Sequence, residues 1–291
     1  MKRQDFDHYI KESKTIVIKI GSARVSGSPS EINDFLFSLT GDVKTLIDEG
    51  KKIVLVSSGA IAQGRNSISS TLVHRNLQNE SLPEKQALAA LGQNRLMNLY
   101  ESFFSKVNTT IAQILFGLVD INKIEGLKNL RNTFDQLLKW NVLPIVNEND
   151  SIATEELKLG DNDFLSAIVS ALIGADLLVV LTGVDGFIKN EKTQDFLEKI
   201  TENDLEFAKG PEGPGSGGMN TKLRAAGFLA NFGIPTAIIN GKTKHSVSKL
   251  LHNNTIGTFI APTGIRKELS EENFIEFFKS NFSGESNGRY V

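Results

Sequence analysis

Short apolar runs alternate with longer amphipathic stretches along most of this chain. The apolar runs predict buried strands at 15–20, 52–57, 109–116, 142–146, 177–182, 236–239 and 257–261. Between them, apolar residues recur at helical spacing and predict helices at 31–49, 83–106, 127–140, 163–173, 220–231 and 244–251. Each strand is a continuous apolar run, which is typical of a mainly parallel sheet covered on both faces. The predicted fold class is therefore α/β, a three-layer αβα sandwich.

This pattern ends near Pro262 and predicts a large domain, 1–262, followed by a tail, 263–291. The chain has 291 residues, of which 40% are hydrophobic, so it can bury a sizeable core. The tail has one amphipathic stretch, 271–282, and is shorter than the ~50 residues of the smallest domains. We expect it to form a helix that docks on the body or on a partner.

Composition and charge argue against several classes of protein. The net charge is −2, with 32 basic and 34 acidic residues, whereas a nucleic-acid surface would show a basic excess. No apolar run approaches the ~18 residues that span a bilayer, and the N-terminal residues lack the apolar segment of a signal peptide. The absence of cysteine excludes disulfides and thiolate metal sites. We therefore expect a cytoplasmic protein that binds neither nucleic acid nor membrane.

Carboxylates and amides cluster at 147–150, directly after the fourth predicted strand, and at 161–163, where the next helix begins. Buried polar groups must be hydrogen-bonded or paired, so this cluster needs a partner if it is buried. Asp and Asn also suit a solvated turn and a helix N-cap, and the spacing alone favours that interpretation. Whether the cluster binds a ligand depends on two lysine-bearing segments elsewhere in the chain.

Lys19 and Lys222 lie beside glycine-containing turns. Lys19 lies inside the first strand, where it either snorkels from an edge or supplies a cation at the carboxyl end of a central strand, where ligands of open α/β sheets bind. Lys222 follows the glycine-rich segment 210–218, which is either a flexible surface loop or an anion site at a helix start. The turn Ser58-Gly59-Ala60 also lets backbone N–H groups approach an anion.

This combination of lysines and carboxylates suits phosphoryl transfer. Lysines stabilise a transferring phosphoryl group, and carboxylates suit Mg²⁺ or the ammonium of an amino-acid substrate. The protein contributes mostly positioning and charge neutralisation to such a reaction. If the acceptor is itself a carboxylate, two anions must meet, and at least two cations are needed.

Six segments of the chain resemble the glutamate 5-kinases of the amino-acid kinase superfamily. The segments are VIKIGS at 17–22, VSSGAIAQGR at 56–65, KQALAALGQNRLMNLY at 85–100, PIVNENDSIAT at 144–154, GDNDFLSA at 160–167 and GSGGMNTKLRAA at 215–226. The resemblance runs in order from about residue 15 to residue 262. It implies a carbamate kinase-like sandwich that phosphorylates the γ-carboxylate of L-glutamate, the first step of proline biosynthesis. It also implies ATP and Mg²⁺ as cofactors, with Mg²⁺ carried by ATP and not by protein side chains.

The same resemblance implies roles for individual residues. Lys19 and Lys222 would stabilise charge on the transferring phosphoryl group, and Asp163 would hold both lysines in place. Glutamate would be bound by Ser58, Asp150, Asn162 and Asn147, with Asp150 facing the α-ammonium. ATP would be bound by Lys19, Thr182, Gly183, Ser216, Gly217, Gly218, Met219, Asn220, Thr221 and Lys222. The family usually has Thr-Asp where this chain has Thr182-Gly183, so one side-chain contact to the nucleotide is missing here.

Further partners and two alternatives complete the interpretation. The resemblance implies a homo-oligomer that hands its labile acyl phosphate to glutamyl phosphate reductase. Many members carry a C-terminal RNA-binding-like domain; we expect none here, because the 29 residues after Pro262 are too few to form it. One alternative is a kinase of the same fold for another small acid, such as acetylglutamate or aspartate. The other is a regulatory protein that binds nucleotide without chemistry; it would lack Lys19, Asp163 or Lys222, and all three are present.

Overall fold

The computed structural model describes residues 3–68, 80–153, 162–209, 218–252, 255–264, 270, 272, 274 and 275. Its strands are β1 (Thr15–Ile20), β2 (Lys52–Ser57), β3 (Ile111–Phe116), β4 (Leu143–Glu148), β5 (Leu177–Thr182), β6 (Ile188–Lys189), β7 (Lys192–Thr193), β8 (Phe196–Leu197), β9 (Thr236–Asn240) and β10 (Thr258–Ile260). Its helices are α1 (Gln4–Glu12), α2 (Pro29–Asp48), α3 (Ala60–Ile68), α4 (Leu82–Phe104), α5 (Leu118–Ile121), α6 (Ile124–Lys139), α7 (Asn162–Leu172), α8 (Glu202–Phe207), α9 (Met219–Ala230) and α10 (Ser246–Leu251). The strands and helices that the apolar pattern predicts are thus present and alternate along the chain.

Eight of the described strands form one sheet in the order β3-β4-β2-β1-β5-β9-β10-β8. Neighbours from β3 to β9 are parallel, and β10 is antiparallel to β9. β1 therefore lies in the middle of the sheet, between β2 and β5. Lys19 belongs to a central strand, which excludes its interpretation as a lysine that snorkels from an edge.

Helices cover both faces of this sheet. Val17 of β1 packs in a cluster with residues of α6, α7 and α9, whereas Ile16 and Ile18 pack in a second cluster with residues of α2, α4 and α10. The predicted three-layer αβα sandwich is confirmed. Alternate residues of a strand point to opposite faces. Lys19 therefore lies on the α7–α9 face with Val17, and Ser57 of β2 lies on the α2–α4 face.

The ends of several elements differ from the prediction. β4 does not stop at Val146 but continues through Asn147 to Glu148, because these residues pair with Leu115 and Phe116 of β3. Backbone hydrogen bonding to the neighbouring strand here outweighs the polar character of the side chains. The described residues also form α1, α5, α8 and the short strands β6 to β8, which the apolar pattern did not predict.

The predicted tail helix, 271–282, lies mostly outside the described residues. Phe274 and Ile275 are described, and both are helical and buried in the cluster on the α7–α9 face. The backbone N–H of Phe274 donates to the Ser270 carbonyl at 3.0 Å. These two side chains therefore pack on the body of this chain, whereas the division into 1–262 and 263–291 stays a prediction.

Two glycines let α3 and α4 pack backbone against backbone. A Cβ atom added to Gly92 would lie 1.7 Å from the Ala60 carbonyl oxygen, and one added to Gly64 would lie 2.1 Å from the Leu88 carbonyl oxygen. No side chain fits at either position without moving a helix. This contact fixes the start of α3, directly after the Ser58-Gly59 turn, against α4.

We expect Gly92→Ala to lower the free energy of unfolding by about 3 kcal/mol, at the upper end of overpacking costs, because α3 and α4 must separate. Gly227→Ala in α9 is the matched control, since its Cβ would meet Ile200 Cδ1 at an ordinary 3.6 Å. Urea unfolding measures both variants. Equal stabilities for the two would contradict the close contact between the helices.

Candidate active site

Two buried lysines flank one buried carboxylate at the carboxyl end of β1. Lys19 Nζ lies 2.6 Å from Asp163 Oδ1, and Lys222 Nζ lies 3.0 Å from Asp163 Oδ2. The side chain of Asp163 is 0% exposed, and those of Lys19 and Lys222 are 3% and 7% exposed. Charges buried this deeply must stabilise one another, because water solvates them poorly. The cluster carries one positive charge in excess, which suits it to bind an anion.

Three separate elements deliver these side chains to one place. Lys19 extends from the central strand onto the face covered by α7. Asp163 lies in the first turn of α7, where the helix dipole favours a carboxylate. Lys222 lies near the N-terminus of α9, where the dipole disfavours a cation. That placement destabilises the helix. It also adds an ammonium group to the positive end of the helix dipole, an arrangement that binds phosphate.

The N-terminus of α9 has no side-chain cap. Its N-cap residue is Gly218, which lacks a side chain. The Thr221 hydroxyl lies 2.8 Å from Asp163 Oδ2 and 2.9 Å from the Gly218 carbonyl oxygen, so Thr221 is a further partner of Asp163. Among the described residues, no side chain caps the N–H groups of the first helical turn, which suits them to an anion.

Other predicted nucleotide-binding residues of α9 use their side chains for packing. Asn220 Nδ2 donates to the Leu205 carbonyl at 3.0 Å, and Asn220 Oδ1 accepts from Arg224 Nε at 2.8 Å. Met219 packs against the core cluster on the α7–α9 face. A contact from either residue to a nucleotide would therefore come from the backbone. The predicted residues Ser216 and Gly217 lie outside the described residues.

Thr182 and Gly183 lie at the carboxyl end of β5, beside β1. The Thr182 carbonyl accepts from the Gly241 N–H at 2.9 Å, which ties the ends of β5 and β9 together. A Cβ atom added to Gly183 would meet no described atom within 4 Å. The chain thus has open space beside Gly183, where the family resemblance implies an aspartate.

A second polar group centres on Asn162, the residue before Asp163. Asn162 Nδ2 lies 2.7 Å from Ser58 Oγ, 2.9 Å from Asn147 Oδ1 and 3.2 Å from the Ser57 carbonyl oxygen. Asn162 and Asn147 are both buried. Three of the four predicted glutamate-binding residues are therefore in direct contact, one residue away from the lysine–carboxylate cluster.

Helix α4 supports this group through glutamines that the sequence interpretation did not single out. Asn147 Nδ2 donates to Gln93 Oε1 at 2.9 Å, and Gln93 Nε2 donates to Gln113 Oε1 of β3 at 3.1 Å. Gln86 Nε2 donates to the Ala153 carbonyl at 3.0 Å. The only available signal was that Gln86 and Gln93 interrupt the apolar residues of the segment KQALAALGQ. α4 thus fixes both Asn147 and the turn that follows β4.

Asp150, the fourth predicted glutamate-binding residue, lies half-buried in the turn after β4. The Asn149 N–H donates to the Phe116 carbonyl at 3.2 Å, and the Ile152 N–H donates to the Asn149 carbonyl at 3.2 Å, which holds this turn. β4 is parallel to its neighbour β2. The turn and Ser58 therefore lie at the same edge of the sheet, where ligands of open α/β sheets bind.

Within the part of the chain that the structure describes, no group of three or more His, Asp or Glu residues could hold a metal ion. Asp163 is already engaged by two ammonium groups and the Thr221 hydroxyl. Separately, none of the described helices is long and apolar enough to cross a membrane.

Known proteins are similar to this chain in sequence or in fold. The model of the Amino acid kinase family matches residues 14–240. The chain is 40% identical over 261 residues to the glutamate 5-kinase of Maridesulfovibrio salexigens. The alignment covers 87% of this chain and 68% of that relative. The chain is 38% identical over 262 residues to the glutamate 5-kinase of Clostridium tetani. This alignment covers 86% of this chain and 96% of that relative. A solved structure, carbamate kinase from Giardia lamblia bound to AMP-PNP, is similar in fold, with a TM-score of 0.61 and 18% identity, and covers 86% of this chain and 99% of that chain.

Proposed function

This chain belongs to the amino acid kinase family, and from that premise we propose that it is an ATP-dependent kinase of the L-glutamate γ-carboxylate. Two relatives named glutamate 5-kinase are 40% and 38% identical to it. The reaction gives γ-glutamyl phosphate and ADP and is the first step of proline biosynthesis. The observation that carries the proposal is the contact of Lys19 and Lys222 with Asp163, beside the polar group on Asn162.

The lysines supply the charge that this reaction requires. A carboxylate oxygen of the substrate forms a bond to the terminal phosphorus of ATP, the bond from that phosphorus to the bridging oxygen breaks, and ADP leaves. Negative charge spreads over the phosphoryl oxygens in the transition state. Lys19 and Lys222 would stabilise that charge, and more strongly than in water because both are buried. Asp163 would hold the two ammonium groups together against their mutual repulsion.

The nucleotide would lie between the carboxyl ends of β1 and β5 and the N-terminus of α9. Backbone N–H groups at the start of α9 would bind its phosphates, together with Lys222. Mg²⁺, when bound, neutralises phosphate charge. Because Asp163 is engaged by both lysines, we propose that Mg²⁺ is held by phosphate oxygens and water, which it often retains as ligands.

Glutamate would be bound by the polar group on Asn162. The Ser58 hydroxyl accepts a hydrogen bond from Asn162, and its own hydrogen faces no acceptor in the described part of the chain. It is therefore available to donate to a substrate carboxylate. Asp150 would pair with the α-ammonium, and such a charge-assisted contact would select an amino acid over a plain diacid.

We expect Asp150→Ala to raise the KM for glutamate at least tenfold, about what a lost hydrogen bond to a charged group costs, with little change in kcat. Steady-state kinetics with varied glutamate measures this. Asp48→Ala, at an exposed carboxylate near the end of α2, is the control and should leave KM unchanged. Unchanged glutamate affinity in Asp150→Ala would remove this residue from the substrate site.

One assay tests the function and separates it from both alternatives. ADP release is measured with glutamate, aspartate, N-acetylglutamate and glutarate, and hydroxylamine traps any acyl phosphate. We expect turnover and trapped product with glutamate and little with the other acids. Equal rates with N-acetylglutamate would point to a kinase for another acid and contradict the role of Asp150. Nucleotide binding without ADP release for any acid would favour a regulatory protein.

We also propose that residues 1–262 form the kinase domain of a cytoplasmic homo-oligomer. The acyl phosphate is a reactive mixed anhydride, so direct transfer to glutamyl phosphate reductase would protect it from hydrolysis. Light scattering tests the oligomer. Kinetics of the coupled reaction in the presence of hydroxylamine, which consumes free acyl phosphate, tests the transfer.

A further inference from the structure

We propose that Tyr100 is a positioning residue for the Ser58-Gly59 turn, and that it acts through Ser57. This inference rests on the proposed function, because the turn is part of the site assigned to glutamate. Tyr100 lies on α4, on the opposite face of the sheet from Lys19. Its effect on the reaction would therefore be indirect.

The hydroxyl groups of Tyr100 and Ser57 meet at the carboxyl end of β2, and both residues are 0% exposed. Tyr100 Oη lies 2.7 Å from Ser57 Oγ, and Ser57 Oγ lies 2.9 Å from the Ser58 carbonyl oxygen. A carbonyl oxygen only accepts, so Ser57 donates its one hydroxyl hydrogen to Ser58. Tyr100 must then be the donor to Ser57. The direction of both hydrogen bonds follows from the acceptor at the end.

This pair of hydrogen bonds completes the anchoring of the turn. The Ser58 N–H donates to the Ile20 carbonyl at 3.0 Å, and the Ser57 carbonyl accepts from Asn162 at 3.2 Å. The carbonyl and N–H of a trans peptide point in opposite directions. Since the Ser58 carbonyl is bound on the α4 side, the Gly59 N–H is aimed at the other side, toward the face that carries Lys19.

The conformation of the turn explains why it needs an anchor. Gly59 has a φ of +119°, a region that glycine adopts readily and other residues do not. Glycine is also the most flexible residue, so without a fixed partner the Ser58-Gly59 peptide could rotate. A hydrogen bond from a buried hydroxyl restricts that rotation at the point where the substrate would bind.

Packing alone does not account for the Tyr100 hydroxyl. The ring stacks on Phe104 at a centroid distance of 6.4 Å, and a phenylalanine at position 100 would keep that contact. Burial raises the pKa of the Tyr100 hydroxyl above its ordinary value. The group therefore stays protonated and able to donate.

Tyr100→Phe removes the hydroxyl and keeps the ring. We expect the KM for glutamate to rise about fivefold, the change that corresponds to one net hydrogen bond, with kcat and the KM for ATP within about twofold. Ser57→Ala interrupts the same connection and should have the same effect. The double variant should also show a rise of only about fivefold, because both residues act through one chain of hydrogen bonds.

A readout independent of activity follows the turn itself. In hydrogen–deuterium exchange, we expect the backbone of residues 57–61 to exchange faster in Tyr100→Phe than in the wild type. Phe134→Leu is the matched control, since it alters a fully buried ring on α6, on the other face of the sheet from Tyr100 and Ser57. It should lower thermal stability but leave both the glutamate KM and exchange at 57–61 unchanged.

Three results would overturn the proposal: an unchanged glutamate KM in Tyr100→Phe, equal effects in Phe134→Leu, or effects of the single variants that multiply in the double variant. Failure of the proposed function looks different, because the wild type then releases no ADP with glutamate. In that case the exchange experiment still decides. Faster exchange at 57–61 in Tyr100→Phe supports the positioning role, and unchanged exchange contradicts it.

Discussion

Lys222→Ala is expected to lower kcat about 100- to 1,000-fold, the range found when one preorganised charge-stabilising donor is removed from a buried site. The KM for glutamate should stay within about threefold. The proposed function places Lys222 where negative charge develops, so its interaction would be stronger in the transition state than in the bound substrate. Lys19→Ala should behave in the same way, since both ammonium groups contact one carboxylate.

Steady-state kinetics with each substrate varied in turn checks this expectation. Lys209→Ala is the matched control, because it removes a lysine that is 61% exposed and pairs with Glu206 on the surface. It should retain wild-type kcat. A Lys222→Ala enzyme whose only defect is a higher KM for glutamate would show that Lys222 acts in substrate binding and not on the transferring group.

Asp163→Asn is expected to lower the free energy of unfolding by about 3–5 kcal/mol and to abolish measurable turnover. The substitution keeps the shape of the side chain but leaves two buried ammonium groups without their shared counter-charge, and breaking a buried pair has a cost of this size. Lys19 and Lys222 would then repel each other and move apart. Displaced in this way, they no longer converge on one phosphoryl group.

Urea unfolding of the Asp163→Asn variant measures the loss. Asp48→Asn, which removes an exposed carboxylate paired with Lys44, should change stability by less than about 1 kcal/mol. Adding Lys222→Met to Asp163→Asn removes one of the surplus charges and should recover part of the lost stability without restoring turnover. A loss below about 1 kcal/mol for Asp163→Asn would mean that the cluster does not depend on its carboxylate.

The fold was predictable from the sequence because its strands are continuous apolar runs separated by amphipathic helices. Those patterns act over neighbouring residues and need no knowledge of the tertiary structure. The end of β4 was not predictable in this way, since Asn147 and Glu148 join the strand only because β3 pairs with them. Likewise, β10 turns antiparallel to β9, a pairing that local periodicity does not specify.

The same distinction between local patterns and long-range contacts applies to the candidate site. Spacing alone left Lys19, Lys222 and the carboxylate cluster open to structural explanations, and their assignment to one site came from the resemblance to a family. The contacts of Thr221 with Asp163 and of Gln93 with Asn147 were missed, because they join residues 58 and 54 positions apart. Such contacts depend on how α9 and α4 pack on the sheet. No pattern within a single element encodes them.

Within the described part of the chain, helix α4 contacts one half of the candidate site and not the other. It supports the half of the site that we assign to glutamate at three points, through Tyr100, Gln93 and Gln86, and it packs against α3 at Gly92. The half assigned to ATP is built from β5 and α9, with β9 supporting it. Substitutions in this single helix can therefore change which acid is accepted without altering the residues assigned to ATP. This modularity is one way in which a shared scaffold could diversify toward new acceptors.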